Sequence, residues 1–390
     1  MEQATTRRRG SDIGAYASAL VILLASRLLV ISALVFAARY VPASPLAAGE
    51  SNLPWYQYLL RWDAGWYLQI VRDGYSDSGS DLVQNSINFS PVYPLLCKAA
   101  ALLFGIPEGA ALVLVSNALL VAGALLLFKL VREEYGDDVA LYALAALCFF
   151  PTSLFFTAGY TESLALTLVA GTFLLLRRGR YLLASGLIGL ATGTRLLSLA
   201  LILPLAWELW RAYSKELKRL AAVGLACLTL ATSGVWLYTI YLWAAFGRPQ
   251  AILTSKRAWH GAGGWEEWLR VITLQPFRHL ADVWGVGFLP ETLAPWFFLL
   301  FVLLLLFFRK LLPAPYTLYA AGALLLPYLM AGGNAGFVSF TRYLLLVFPV
   351  FIILGEVFRR RAWLALAALG LSAGLLFLHT ALYAQAYWAG

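Results

Sequence analysis

The segment RWDAGWYLQIVRDGY (61–75) places one carboxylate, Asp63, among Trp62, Trp66 and Tyr67, with Arg61 before it and Arg72 after it. A carboxylate in that company can do one of two things. It can take a proton from a hydroxyl as a general base, with the rings stacked on a sugar. It can also solvate the polar side of an aromatic anchor at a membrane surface, where Trp and Tyr concentrate. Read as a helix, 58–71 aligns Leu59, Trp62, Trp66 and Ile70 by i, i+3, i+4 spacing. Such a helix lies flat on a membrane with that stripe down. Asp63 then falls one step round, beside Tyr67, at the boundary of water and lipid.

Charges inside apolar stretches are rare and mark function by default. Glu162 in GYTESL opens one such stretch, Arg195 in GTRLLS closes another, and Arg342-Tyr343 in FTRYLL begins a third. All three fall at one predicted membrane boundary. The arginines suit a phosphate, which a guanidinium grips with two parallel hydrogen bonds. Glu162 has a second reading, as a favourable acid in the first turn of a helix. Arg27, in the first apolar run, reads as a buried pair or a side chain snorkelling to the surface. Lys256, Arg257 and His260 form a basic group followed by Gly261, Gly263 and Gly264. That tract can close over an anion or stay a solvated loop, and it lacks the Lys-Ser/Thr of a phosphate-binding loop. His260, His279 and His379 are scattered, and Asp73, Asp77 and Asp81 make no clear pair with Asp63, so no metal ligand set is assigned. Cys97, Cys148 and Cys227 have neither disulfide nor metal spacing.

The elements that position these residues are membrane helices. Of 390 residues, 61% are hydrophobic and only 13% charged, about half the usual charged share of a soluble domain. Mean hydropathy is +0.76. A polytopic, all-α membrane protein follows. Apolar runs near 13–38, 110–131, 139–158, 161–176, 181–197, 198–210, 219–246, 294–308, 315–331, 342–358 and 362–386 predict about eleven spans. The first, preceded by Arg7-Arg8-Arg9, is too long for a signal-peptide core and reads as a span with its amino end in the cytoplasm. The run 92–106, short and interrupted by Lys98, reads as interfacial or re-entrant. The net charge of +9 then falls largely on cytoplasmic loops through Lys129, Arg132, Arg177, Arg178, Arg180, Arg211, Lys215, Lys218, Arg219, Arg309, Lys310 and Arg359 to Arg361, as the positive-inside rule requires. Two long outer segments remain, 39–109 and 247–293, within one domain covering 1–390.

Four motifs in order, RWDAGWYLQIVRDGY, NFSPVYPLL (88–96), FFPTSLFFTAGYTESLAL (149–166) and ATGTRLLSLAL (191–201), resemble those of the PIG-V-like mannosyltransferases. These are relatives of the second glycosylphosphatidylinositol mannosyltransferase within the C-type (GT-C) integral membrane glycosyltransferases. The resemblance covers roughly the first half of the chain; the second half matches by hydropathy and by FTRY. It implies a GT-C-like fold and inverting transfer of mannose from a polyprenyl-phosphate donor to a lipid-linked glycan or other acceptor on the extracytoplasmic face. In a bacterium that face would belong to the plasma membrane. It also implies an essential carboxylate at Asp63, with Tyr160, Glu162 and Arg195 in the site, and it leaves any divalent metal requirement open. Arg61, Trp62, Trp66, Tyr67, Tyr93, Lys256, Arg257, His260, Arg342 and Tyr343 complete the expected substrate-binding set. The rival reading is a transporter or flippase of lipid-linked sugars, which should show inverted repeats and polar residues at mid-membrane; neither pattern is clear here.

Overall fold

The computed structural model describes residues 2–47, 49–50, 53–255, 258, 289–330, 337 and 339–388, of which 2–12, 289–292 and 330 are described by their backbone alone. Lys256, Arg257 and His260 lie outside the described residues. Every regular element among the described residues is helical. In chain order these are α1 (Glu2–Tyr40), α2 (Asp63–Asp73), α3 (Val92–Phe104), α4 (Glu108–Tyr135), α5 (Asp137–Cys148), α6 (Glu162–Arg177), α7 (Tyr181–Thr192), α8 (Ile202–Tyr213), α9 (Leu217–Ala231), α10 (Ser233–Phe246), α11 (Ala251–Thr254), α12 (Leu289–Phe308), α13 (Ala314–Met330), α14 (Phe340–Leu344), α15 (Phe348–Arg360) and α16 (Ala362–Ala384). Short 3-10 turns join several of them.

Among the described residues, five stretches are long and apolar enough to cross a membrane: Ile13–Tyr40, Glu108–Tyr135, Leu196–Tyr213, Leu293–Leu311 and Ala362–Ala384. The pair α9 and α10, bent by 52°, adds a sixth if it serves as one broken span. With the composition, this makes the chain an integral membrane protein. Several expected spans are interrupted. The run 139–158 is α5 followed by a 3-10 turn at Ser153–Phe156, and 342–358 is split between α14 and α15. Pro151 follows the first break, where it cannot continue α5, and Pro349 lies in the first turn of α15, where its missing N–H costs nothing. Helix α3, of 13 residues, covers about 20 Å, short of the roughly 30 Å hydrocarbon core.

At the centre, α6 is buried on nearly every side. It packs along α4 and α7, while α5 packs on α15 and α1 on α16. Helices α4 and α6 run in the same direction. Ser116 of α4 hydrogen-bonds the Tyr160 carbonyl just before α6 begins, and at the far end Arg177 of α6 lies 3.8 and 3.7 Å from Glu133 and Glu134. The bend between α9 and α10 lies against α7, where a Cβ at Gly234 would fall 2.1 Å from the Gly193 nitrogen.

Arg27 neither snorkels nor meets a carboxylate. Its guanidinium donates to the carbonyls of Cys148 and Ser153 at 3.0 and 2.9 Å, and to the hydroxyls of Ser153 and Thr157 at 3.0 and 2.8 Å. It thus satisfies backbone groups left open where α5 stops. The three cysteines are free and buried.

Candidate active site

The expected helix over 58–71 forms only from Asp63 onward. Trp55–Leu59 is a 3-10 turn, and α2 begins only at Asp63. Between them Trp62 adopts φ 56°, ψ −123°. The Ala64 N–H donates to the Arg61 carbonyl at 3.2 Å, which closes a four-residue turn with Trp62 in the second position. That left-handed position ordinarily belongs to glycine, and holding a tryptophan there costs on the order of 1–3 kcal/mol. The stripe of Leu59, Trp62, Trp66 and Ile70 is therefore broken. The face of α2 that packs inward is Ala64, Tyr67, Leu68, Ile70 and Val71.

The turn puts Asp63 at the first position of α2, as Glu162 is at the first position of α6. A carboxylate there meets the positive end of the helix dipole. The arginines come from short or extended segments: Arg195 is extended (φ −162°) between α7 and the 3-10 turn Leu196–Leu201, and Arg342 sits in the five-residue α14.

These four side chains form one alternating chain of charge. Arg342 Nη1 donates to Asp63 Oδ2 at 2.7 Å, and Arg342 Nε faces Glu162 Oε1 at 3.4 Å. Arg195 Nη1 donates to the same Glu162 oxygen at 3.0 Å. Glu162 is 1% exposed, Arg342 8%, Arg195 11% and Asp63 22%. The acids and bases balance, which is what permits ionised groups to be buried at all. Glu162 Oε2 and Arg342 Nε are buried without a hydrogen bond, so the cluster keeps unused polar capacity.

Aromatic rings line it. The Arg342 guanidinium carbon lies 5.1 Å from the Tyr160 ring centroid and 5.5 Å from those of Phe155 and Tyr343. Arg195 lies 5.2 Å from Tyr343. Ring faces within about 6 Å attract a guanidinium, so Tyr343 is shared by both arginines.

The remaining expected contacts fall elsewhere. Arg61 is 8% exposed, pairs with Glu50 at 2.6 Å and donates to the Ala384 carbonyl. Tyr93 is fully buried and bonds the Leu112 carbonyl and Ser116. Tyr160, 1% exposed, donates to the Arg61 carbonyl at 3.0 Å. Tyr67, 7% exposed, packs edge-on to Phe89 and Tyr93. Burial, reinforced by Glu162 and Asp63 nearby, holds the Tyr67 phenol above its usual range. These residues pack behind the charged cluster. Trp66 is half-buried and stacks on Phe89 at 6.0 Å. Trp62 donates its indole N–H to the Tyr387 carbonyl at 3.2 Å.

Asp77 and Asp81 belong to a separate group in which Arg248 grips Asp77 at 2.7 and 2.8 Å and also binds Asp81, joined by Thr254. His379 is buried on α16 against the Leu375 carbonyl. Among the described residues no group of three or more His, Cys, Asp or Glu is arranged to hold a metal ion. Sequence reasoning missed Phe155, which lies inside the 149–166 motif and whose ring faces Arg342. It also missed Tyr383, in a plain apolar helix end, whose hydroxyl meets the Arg61 carbonyl only through the fold.

No family model and no curated protein matches the chain. Solved structures do. One is the Archaeoglobus fulgidus oligosaccharyltransferase complexed with Zn and sulfate, with TM-score 0.47, 16% identity, 95% of this chain and 53% of that one. Another is the A. fulgidus oligosaccharyltransferase AglB with an inhibitory peptide and a dolichol-phosphate, with TM-score 0.47, 14% identity, 95% and 56%. A third is ArnT from Cupriavidus metallidurans bound to undecaprenyl phosphate, with TM-score 0.44, 15% identity, 97% and 77%. The chain spans about half the length of the oligosaccharyltransferases.

Proposed function

We propose that the protein is a GT-C-type membrane glycosyltransferase that moves a sugar, mannose by resemblance, from a polyprenyl-phosphate donor to a lipid-linked glycan or other acceptor, with inversion. The observation that carries this reading is the Asp63–Arg342–Glu162–Arg195 chain. It sets one partly exposed carboxylate beside two arginines backed by a buried acid. Inverting transfer needs a base for the acceptor hydroxyl on one face of the sugar and charge stabilisation for the departing phosphate on the other.

In this reading Asp63 is the base. Arg342 holds its Oδ2, and no protein group bonds the other oxygen among the described residues, which leaves it for the acceptor. Arg195 and Arg342 receive the lipid phosphate, with Lys256 and Arg257 as further candidates. Glu162 fixes both guanidiniums so that they are oriented before substrate arrives. The active site belongs on the extracytoplasmic face, because the arginine-rich loops gather at the opposite ends of α4 and α6.

The test is purified protein in lipid nanodiscs with polyprenyl-phosphate mannose and a panel of glycolipid acceptors. A new glycosidic product of inverted configuration supports the reading. Translocation of the donor without product supports the transporter instead.

A further inference from the structure

The turn that presents Asp63 is built from a residue poorly suited to it, so something else must hold the turn. Trp62 has a side chain in a backbone position that favours glycine. Such a conformation persists only where its surroundings over-determine it. The surroundings come from the end of α16 and the residues after it. Tyr383, fully buried, accepts a hydrogen bond from the Arg61 N–H at 3.1 Å, and its hydroxyl lies 3.1 and 3.3 Å from the Arg61 and Leu59 carbonyls. The Arg61 guanidinium donates to the Ala384 carbonyl at 3.2 Å. One residue on, the Trp62 indole donates to the Tyr387 carbonyl, and its ring meets that of Trp388 edge to face at 5.1 Å and 87°. The segment is itself anchored: Gln385 donates to the Ala37 carbonyl at 2.7 Å, and Ser44 bonds the Gln385 and Ala386 carbonyls.

We propose that residues 383–388 are a positioning device for Asp63, in which Tyr383 clamps the Arg61 backbone and the Tyr387–Trp388 pair holds the Trp62 ring. Together they keep the turn closed and aim the Asp63 carboxylate at Arg342 and the acceptor. None of these residues touches substrate. The inference rests on Asp63 being the reacting carboxylate, yet the geometry it asserts can be read without any reaction.

The experiment compares full-length wild type with Tyr383→Phe, Trp388→Ala and Trp388→Phe in nanodiscs. It follows kcat, KM for each substrate, melting temperature, and the rate at which a water-soluble carbodiimide with an amine labels Asp63, read by mass spectrometry. Loss of aim lowers kcat by about tenfold or more with KM within about twofold, since small misplacements of a reacting group act on the chemical step. Asp63 labelling in Tyr383→Phe should rise several-fold as its pairing with Arg342 loosens, with melting near that of wild type. Trp388→Ala should behave alike, and Trp388→Phe, which keeps a ring edge, should restore both readouts. Unchanged kcat, or activity that falls only in step with the folded fraction, overturns the proposal. If Tyr383→Phe does not fold, the Trp388 pair decides: equal behaviour of Ala and Phe overturns it. If wild type transfers no sugar, the glycosyltransferase reading fails separately. The labelling rates then decide alone, and equal rates in all variants overturn the positioning role.

Discussion

Arg342 and Asp63, 279 positions apart in the chain, meet in a 2.7 Å hydrogen-bonded ion pair. The same guanidinium also faces the almost fully buried Glu162. One arginine therefore links the partly exposed acid at the start of α2 to the buried acid at the start of α6. The base and its electrostatic support form one unit, and its parts differ in what their loss should do.

Glu162 should matter first for stability. It neutralises two guanidiniums at 1% exposure, and removing one partner of a buried pair typically costs about 3–5 kcal/mol. Thermal denaturation of Glu162→Ala should show a large fall in melting temperature, with Glu162→Gln intermediate. Wild-type melting in the Ala variant would contradict its role as the shared counterion.

Arg195 should matter for the donor. Arg195→Ala is expected to raise KM for the lipid-phosphate donor more than for the acceptor. Arg195→Lys should recover only part, because an ammonium lacks the planar fork that grips phosphate. Equal shifts in both KM values would count against this assignment.

Outside the site, Arg248 ties the 74–91 segment to α11. Asp77 is 5% exposed and would be left without its cation in Arg248→Ala. Hydrogen exchange over 76–88 and 248–255 should accelerate by about tenfold or more, as expected when local opening becomes easier by roughly 1.4 kcal/mol. Burial also holds the Tyr75 phenol in this segment above its usual range, so its hydrogen bond to the Phe89 carbonyl should persist into mildly alkaline solution.

Gly234→Ala tests the bend between α9 and α10. Its new methyl would meet backbone atoms of Gly193 and Gly189, which cannot rotate away. A loss of about 1–3 kcal/mol is expected from such overpacking, and wild-type melting would contradict this close crossing.

Much of this was legible in the sequence. Charge at the ends of apolar runs marks Glu162, Arg195 and Arg342, whereas Asp63 stands out only through its aromatic setting in the first outer segment and the order of the motifs around it. Hydropathy gave the helical class. The 3.6-residue periodicity misled at Trp62: a stripe can be drawn through Leu59, Trp62, Trp66 and Ile70, yet spacing cannot reveal that one of those residues has left the helix. The breaks after α5 and before α15 were likewise hidden inside runs of uniform hydropathy, although Pro151 and Pro349 marked them. Tyr383 and Trp388 gave no local signal, since their importance lies entirely in contacts made across more than 300 positions.

Deprotonation of the acceptor by Asp63 is tested most directly by sugar transfer by Asp63→Asn beside wild type under saturating donor. Asn keeps the size of the side chain, and Arg342 keeps Glu162. The variant should fold, bind donor with near-normal KM, and transfer about 10²–10⁴-fold more slowly, the span typical of a lost general base. Transfer at the wild-type rate by a folded Asp63→Asn protein would show that another group takes the proton.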